Sequence, residues 1–306
     1  MSFTLFADAR LALARDSLAG LSVGDALGSQ FFVPGRHPAD LAAGRLPPPP
    51  WEWTDDTEMA CSVVAELAES GRVDRDRLAL AFAERAEPYR GYGPGAVTIL
   101  RLIRTGTPWP IAAASAFDGQ GSCGNGAAMR VGPLGAYFAD STARAAAQAS
   151  AAAEVTHAHP EGIAGAVAVA VATALAARGR LDGSRPAADR LLAGVSATLN
   201  PGTEVHRRVR RAADLLGRPL PQAVATLGNG SRVTAQDTVG FTLWVAATHL
   251  DDYPAAIRAC VEAGGDVDTT AAIVGAVVAA YTGVGTPGGV PADWLAAREP
   301  LPDWLP

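Results

Sequence analysis

The longest apolar run in the chain, Gly162 to Ala177, carries no charge and is built largely from alanine and valine. It falls short of the roughly 18 residues that a membrane-spanning helix needs, so we read it as the buried central helix of a globular domain. Helix is favoured nearly everywhere else. Alanine dominates, aromatic residues make up 6% of the chain, and every basic residue is arginine, a composition suited to helix. No segment sustains the period-2 alternation of a half-buried strand. The expected fold class is therefore all-α. With 306 residues, 49% of them hydrophobic, the chain can bury a large core, and residues 1–306 read as a single compact helical domain.

Charge and cysteine usage remove several classes of function. A net charge of -6 gives no reason to expect general nucleic-acid binding or an anionic membrane. One basic cluster, His206, Arg207, Arg208, Arg210 and Arg211, spreads over more than one helix face and reads as solvated surface in preference to a phosphate track. Cys61, Cys123 and Cys260 are widely spaced, without a CxxC pair, as expected of reduced thiols in a cytoplasmic protein. The N-terminal stretch is an amphipathic helix without a secretory apolar core. Gly20 to Gly24 fits G-x-S-x-G by letters, yet a helical pattern precedes it where that motif needs a strand.

Chemistry concentrates in two oxygen-rich stretches. In the first, Thr54, Asp55, Asp56 and Thr57 stand at the mouth of a helical run whose apolar stripe is Met59, Cys61, Val63, Val64 and Leu67. Thr54 suits an N-cap, and acids in a first turn suit the helix dipole, so a well-capped helix explains this stretch taken alone. The second stretch repeats the device about two hundred residues later: Gly264, Gly265, Asp266, Val267, Asp268, Thr269 and Thr270 open onto the apolar helix Ala271 to Tyr281. Should the two mouths meet, four carboxylates and several threonine hydroxyls would share a small space. Hard divalent cations stabilise such a cluster, and all-oxygen ligands favour Mg, Mn or Ca over Zn.

A third stretch, Gly119 to Arg130, satisfies G-x-G-x-x-G by count but lacks the surrounding βαβ unit. A glycine-rich loop entering a helix can still offer N–H groups to a phosphate, or it can be a tight connection. His157 and His159 share no helix face, and each reads equally as a cap, a satisfied core histidine or a ligand contact. Gly91 to Gly95 is a glycine-rich loop with Tyr89 and Tyr92 nearby, either a plain turn or a flap over a ligand. Between the first helix, Leu5 to Val23 with the flanking Gly24 to Gly28, and Trp51 lies the loop Phe31 to Pro50. Its four closing prolines keep the chain extended. Further helices are expected over 75–84, 96–104, 142–154, 186–199, 203–216, 222–227, 235–249 and 254–262.

Four stretches in order, GDALG at Gly24 to Gly28, WTDDTE at Trp53 to Glu58, GNGAAMR at Gly124 to Arg130 and GGDVDTTAAIVGA at Gly264 to Ala276, together resemble the ADP-ribosylglycohydrolase family. THAHP at Thr156 to Pro160 falls where that family has a similar segment. The resemblance implies an all-α domain with a dinuclear site for two divalent cations, Mg or Mn. It implies hydrolysis of the glycosidic bond that links ADP-ribose to its acceptor, with ADP-ribose or an ADP-ribosylated macromolecule as substrate; the chain is expected to be a monomer. Thr54, Asp55 and Asp56 match the metal ligands of the family's first acidic motif; Asp266, Asp268 and Thr269 match those of the second, with Asp268 expected to bridge. Asp55, Asp56 and Asp268 are the catalytic candidates. Ser122, Cys123, Gly124, Asn125 and Gly126, with His157, match positions that hold ADP-ribose. One departure stands out: many members carry a glutamate shortly after GDALG, and here the run reads Ser29, Gln30, Phe31, Phe32, with no acid until Asp40.

Overall fold

A computed structural model of the chain describes residues 4–306. Among them helices follow one another without a strand, and β pairing is confined to isolated bridges. In chain order they are α1 (Ala7–Ser29), α2 (Pro38–Ala42), α3 (Asp55–Ser70), α4 (Arg75–Arg85), α5 (Pro94–Arg104) and α6 (Trp109–Gly119). The middle of the chain forms α7 (Gly132–Tyr137), α8 (Thr142–Glu154), α9 (Pro160–Leu181), α10 (Ala188–Ser196) and α11 (Glu204–Asp214). The last five are α12 (Leu220–Leu227), α13 (Ala235–Thr248), α14 (Tyr253–Ala263), α15 (Val267–Thr282) and α16 (Ala292–Ala297). Sequence periodicity anticipates most of these but not α2, α6, α7 and α16. Three of these, α2, α7 and α16, are too brief to show a repeat, and α6 is proline-led and kinked at Ala116 to Asp118.

The apolar run becomes α9, extended to 22 residues and thereby long and apolar enough to cross a membrane; 78% of its apolar window is nevertheless buried inside the protein. It is covered by α7, α8, α10, α13 and α15. Its alanine surface lets these neighbours approach closely, and Gly135 of α7 marks the tightest point, where a Cβ would stand 2.2 Å from the Ala170 carbonyl oxygen. His159 opens α9 as its N-cap, its Nδ1 accepting from the Glu161 N–H at 3.1 Å.

The second organising contact joins the two ends of the chain. Gly20, Gly24 and Gly28, four residues apart, line one face of α1. A Cβ on them would lie 2.4 Å from Gly275 O, 2.2 Å from Ala271 O and 2.7 Å from Val267 O on α15. Backbone therefore packs on backbone, and the Gly20 carbonyl is satisfied by Tyr253 Oη at 2.6 Å. This corrects the reading of Gly24 to Gly28 as a segment flanking the first helix: α1 runs straight through it to Ser29. The C-terminal segment then returns to the approach of α3. Trp51 N–H donates to Ala297 O at 2.7 Å and Glu299 N–H to Trp51 O at 2.8 Å. Arg90 lies 3.3 Å over the Trp53 ring and pairs with both carboxylate oxygens of Glu299, at 2.8 and 3.0 Å.

Candidate active site

Three helices meet at a small apolar cluster of Leu18 and Leu21 from α1, Ala60, Cys61 and Val64 from α3, and Ala272 and Ala276 from α15. That cluster fixes the N-termini of α3 and α15 beside the C-terminal half of α1, and so brings the two oxygen-rich stretches together.

Asp25, which sequence reasoning noted only as an acid between glycines, is the clamp. It is fully buried on α1. Its carboxylate accepts from Thr54 N at 2.9 Å, Thr54 Oγ1 at 2.8 Å, Thr57 N at 3.2 Å and from Thr57 Oγ1. Burial still pushes its pKa up, against the lowering effect of those four bonds. The Thr54 cap on α3 also holds, with Oγ1 accepting from Asp56 N at 3.4 Å.

The remaining acids face one another around this clamp. Asp56 is 2% exposed; its Oδ2 stands 3.3 Å from Thr54 Oγ1 and 3.4 Å from Thr269 Oγ1, so threonines from the two stretches share one oxygen. Its Oδ1 is buried without a hydrogen-bond partner. Burial, then the charges of Asp25, Asp268, Asp55 and Asp266, push the Asp56 carboxyl far above the usual carboxylate range. Asp268 is raised by burial and then by Asp266 and Asp25, although its Oδ1 accepts from Thr269 N at 2.8 Å. Asp55, half-buried, is pushed up to about 7 by burial first and then by Asp25, Asp266 and Glu58. Asp266 Oδ2 is turned to Asn125 Nδ2, 2.7 Å away. No three His, Cys, Asp or Glu side chains among the described residues stand in a ready metal-holding arrangement. The donor set nevertheless fits a hard cation: carboxylates that raise one another's pKa, threonine hydroxyls, and one orphaned buried oxygen.

The glycine-rich loop lies against this cluster. It enters a single 3-10 turn, Asn125–Ala127, where sequence reasoning expected a helix N-terminus. Several of its N–H groups are already engaged, among them Gly121 with Ala116 O at 2.9 Å, Gly124 with Ser122 Oγ at 3.1 Å and Asn125 with Val233 O at 3.2 Å. Asn125, 3% exposed, commits its amide to Asp266 and to Thr238 Oγ1 at 3.1 Å, and so ties the loop to the acids. Cys123 is half-buried and its carbonyl accepts from Ala235 N at 2.9 Å. The His157 ring lies directly beneath Gly124 and Gly126, where an added Cβ would stand 3.3 Å from Nε2 at each. Burial, and secondarily the charge of Arg130, lowers its pKa to about 3, so the ring is neutral. On the other side of Asp55, Tyr92 ties the Gly91 to Gly95 loop down through a 2.6 Å bond from Oη to Glu58. Phe32, within a residue or two of where the resemblance leads one to expect a glutamate, is 54% exposed.

An all-α domain whose acidic helix mouths meet beside a glycine-rich loop presents a site of carboxylates and hydroxyls. The chain belongs to the ADP-ribosylglycohydrolase family, whose profile matches residues 7–306. It is 28% identical to ADP-ribosylhydrolase ARH3 of Gallus gallus and 28% identical to that of Homo sapiens, in both cases over 93% of this chain and 88% of the relative. A protein of Archaeoglobus fulgidus described only as uncharacterized is 31% identical over 86% of this chain and 85% of its own. Among solved structures, an ADP-ribosylglycohydrolase-related protein complex superposes with a TM-score of 0.62 at 27% identity, covering 95% of this chain and 94% of that one.

Proposed function

We propose that this chain is a metal-dependent hydrolase that cleaves the glycosidic bond between ADP-ribose and a modified acceptor. The observation that carries the reading is the buried Asp56 Oδ1, an acceptor with no donor in a site crowded with carboxylates. Such an oxygen is costly to bury unless a cation or donor meets it. Thr54, Asp55, Asp56, Asp266, Asp268 and Thr269 would hold two divalent cations, Mg or Mn. When bound, these supply the Lewis acidity that polarises ribose hydroxyls and acidifies water. The chain's own part is to position: Asp25 sets the α3 mouth, Asn125 links the acids to the ligand loop, and the neutral His157 stands beneath it. In the reaction the bond from the ribose carbon to the acceptor breaks, a bond from that carbon to the oxygen of water forms, and the acceptor leaves with a proton.

The test is release of free ADP-ribose from modified arginine, serine and nucleobase substrates with Mg or Mn, repeated with EDTA. Release that EDTA abolishes supports the reading; release undiminished by EDTA counts against the cations. A second reading is favoured by one residue. Phe32 places an exposed aromatic within a residue or two of where the family resemblance leads one to expect an acid, and this would suit a protein that binds ADP-ribose without cleaving it. Saturable ADP-ribose binding with no release from any substrate would select it.

A further inference from the structure

Arg130 is a fully buried cation that pairs with no carboxylate among the described residues. It is 0% exposed, its guanidinium lies 4.4 Å over the Phe82 ring, and its Nη2 donates to Ala152 O and Thr156 Oγ1, both at 2.8 Å. Thr156, 1% exposed, stands between it and His157, with Oγ1 2.8 Å from the ring Nδ1. These contacts constrain the protons that the three side chains share. Arginine can only donate, so one lone pair of Thr156 Oγ1 is taken. If His157 Nδ1 also carried a proton, it would fill the second lone pair and leave the buried hydroxyl hydrogen with no acceptor among the described residues, a cost of the kind that buried orphans incur. The consistent arrangement is Arg130 Nη2–H to Thr156 Oγ1, and Thr156 Oγ1–H to His157 Nδ1. The ring proton is then on Nε2, which lies on the loop side under Gly124 and Gly126.

We infer that Arg130 and Thr156 are positioning residues that hold His157 as its Nε2–H tautomer, a fixed hydrogen-bond donor toward an acceptor oxygen of the bound ligand. The inference rests on the ADP-ribose reading for the identity of that ligand. The ring's depressed pKa keeps it in this neutral form across the physiological range, and the Arg130 charge behind it favours an anionic acceptor such as a phosphate oxygen.

The first readout is the nitrogen NMR spectrum of histidine-labelled protein, with the His157 signals assigned by their loss in His157→Asn. We expect an unprotonated Nδ1 and a protonated Nε2, unchanged from pH 5.5 to 8. Thr156→Val removes the hydroxyl at constant shape; it should release the tautomer to a mixture and weaken ADP-ribose binding roughly tenfold, the effect of one lost hydrogen bond to a charged group. Thr156→Ser should restore both. A protonated Nδ1 in the natural protein overturns the inference, as does a folded Thr156→Val that keeps the tautomer and the affinity. If Thr156→Val fails to fold, the natural and Thr156→Ser spectra still decide. A natural protein that shows the Nε2–H tautomer but binds no ADP-ribose would sink the ligand reading while leaving the relay standing.

Discussion

Asp25 and Asp268 belong to one group of carboxylates, yet their surroundings give them opposite tasks. Asp25 satisfies four donors, two part-buried on Thr54 and two buried on Thr57, so Asp25→Ala leaves them without their acceptor and should cost about 1–3 kcal/mol of stability, read as a fall in melting temperature. Asp268 accepts its neighbour's N–H and shares a side-chain hydrogen bond with Asp266, while burial and the charges of Asp266 and Asp25 work against its ionised form. Asp268→Ala should therefore keep or raise the melting temperature of metal-free protein while abolishing ADP-ribose release. An active Asp268→Ala would remove this residue from the site. Phe32 is the third residue at issue. Being largely exposed, it can be exchanged without disturbing the core, and in an enzyme already competent Phe32→Glu should change the turnover rate only modestly. A gain of roughly 10²- to 10⁴-fold, the scale of a positioned general base, would mean that the acid is needed and that the natural chain is a binder. Sequence showed the ligand candidates because acids and threonines cluster at helix mouths. It could not show the Asp25 clamp, whose partners are supplied by another helix, nor the Asn125 link, since an amide in a glycine loop looks the same whether it faces a ligand or a carboxylate.

Among the elements, α1 and α15 decide where the site stands. Their contact is glycine against backbone, and the register Gly20, Gly24, Gly28 puts Asp25 on the adjoining face, toward α3. Gly24→Ala would place a methyl 2.2 Å from Ala271 O; the carbonyl cannot retreat without moving α15, so a loss of about 1–3 kcal/mol is expected from overpacking alone, with a parallel loss of activity. Gly95→Ala is the control. There a Cβ meets only the Phe117 ring at 3.9 Å, and in the first turn of α5 alanine suits helix better than glycine, so the melting temperature should hold or rise. Equal melting temperatures for natural protein and Gly24→Ala would refute the close approach. The glycines were legible as a motif but not as a packing face, because what they touch lies some 250 residues away. For the same reason α1 was expected to stop before a segment it runs through: glycine weakens a helix in isolation, and only the partner helix makes it the suitable residue.

For the molecule as a whole, the acidic site draws on α1, α3 and α15, and the end of the chain returns to brace Trp51 and Trp53. The carboxylates are thus gathered only when the whole fold is in place, and their repulsion must be felt in global stability. The sign follows from the direction of the shifts. Asp55, Asp56 and Asp268 all have folded pKa values above their unfolded ones, Asp55 at about 7; the folded state then holds more protons than the unfolded chain between about pH 4 and 7. The favourable contribution of these groups is complete below the unfolded pKa and is lost as pH rises through the folded one. In EDTA, the melting temperature should fall as pH rises from 5.5 to 8. Saturating Mn or Mg should reverse this, because a cation binds the deprotonated cluster and stabilises only the state that contains it. The gain on adding metal should accordingly be larger at pH 8 than at pH 5.5, and removing the carboxylate in Asp268→Ala should shrink both the slope in EDTA and the gain. A melting temperature that rises with pH in EDTA, or one that saturating metal leaves unmoved at pH 8, would contradict a cation-dependent cluster at this site.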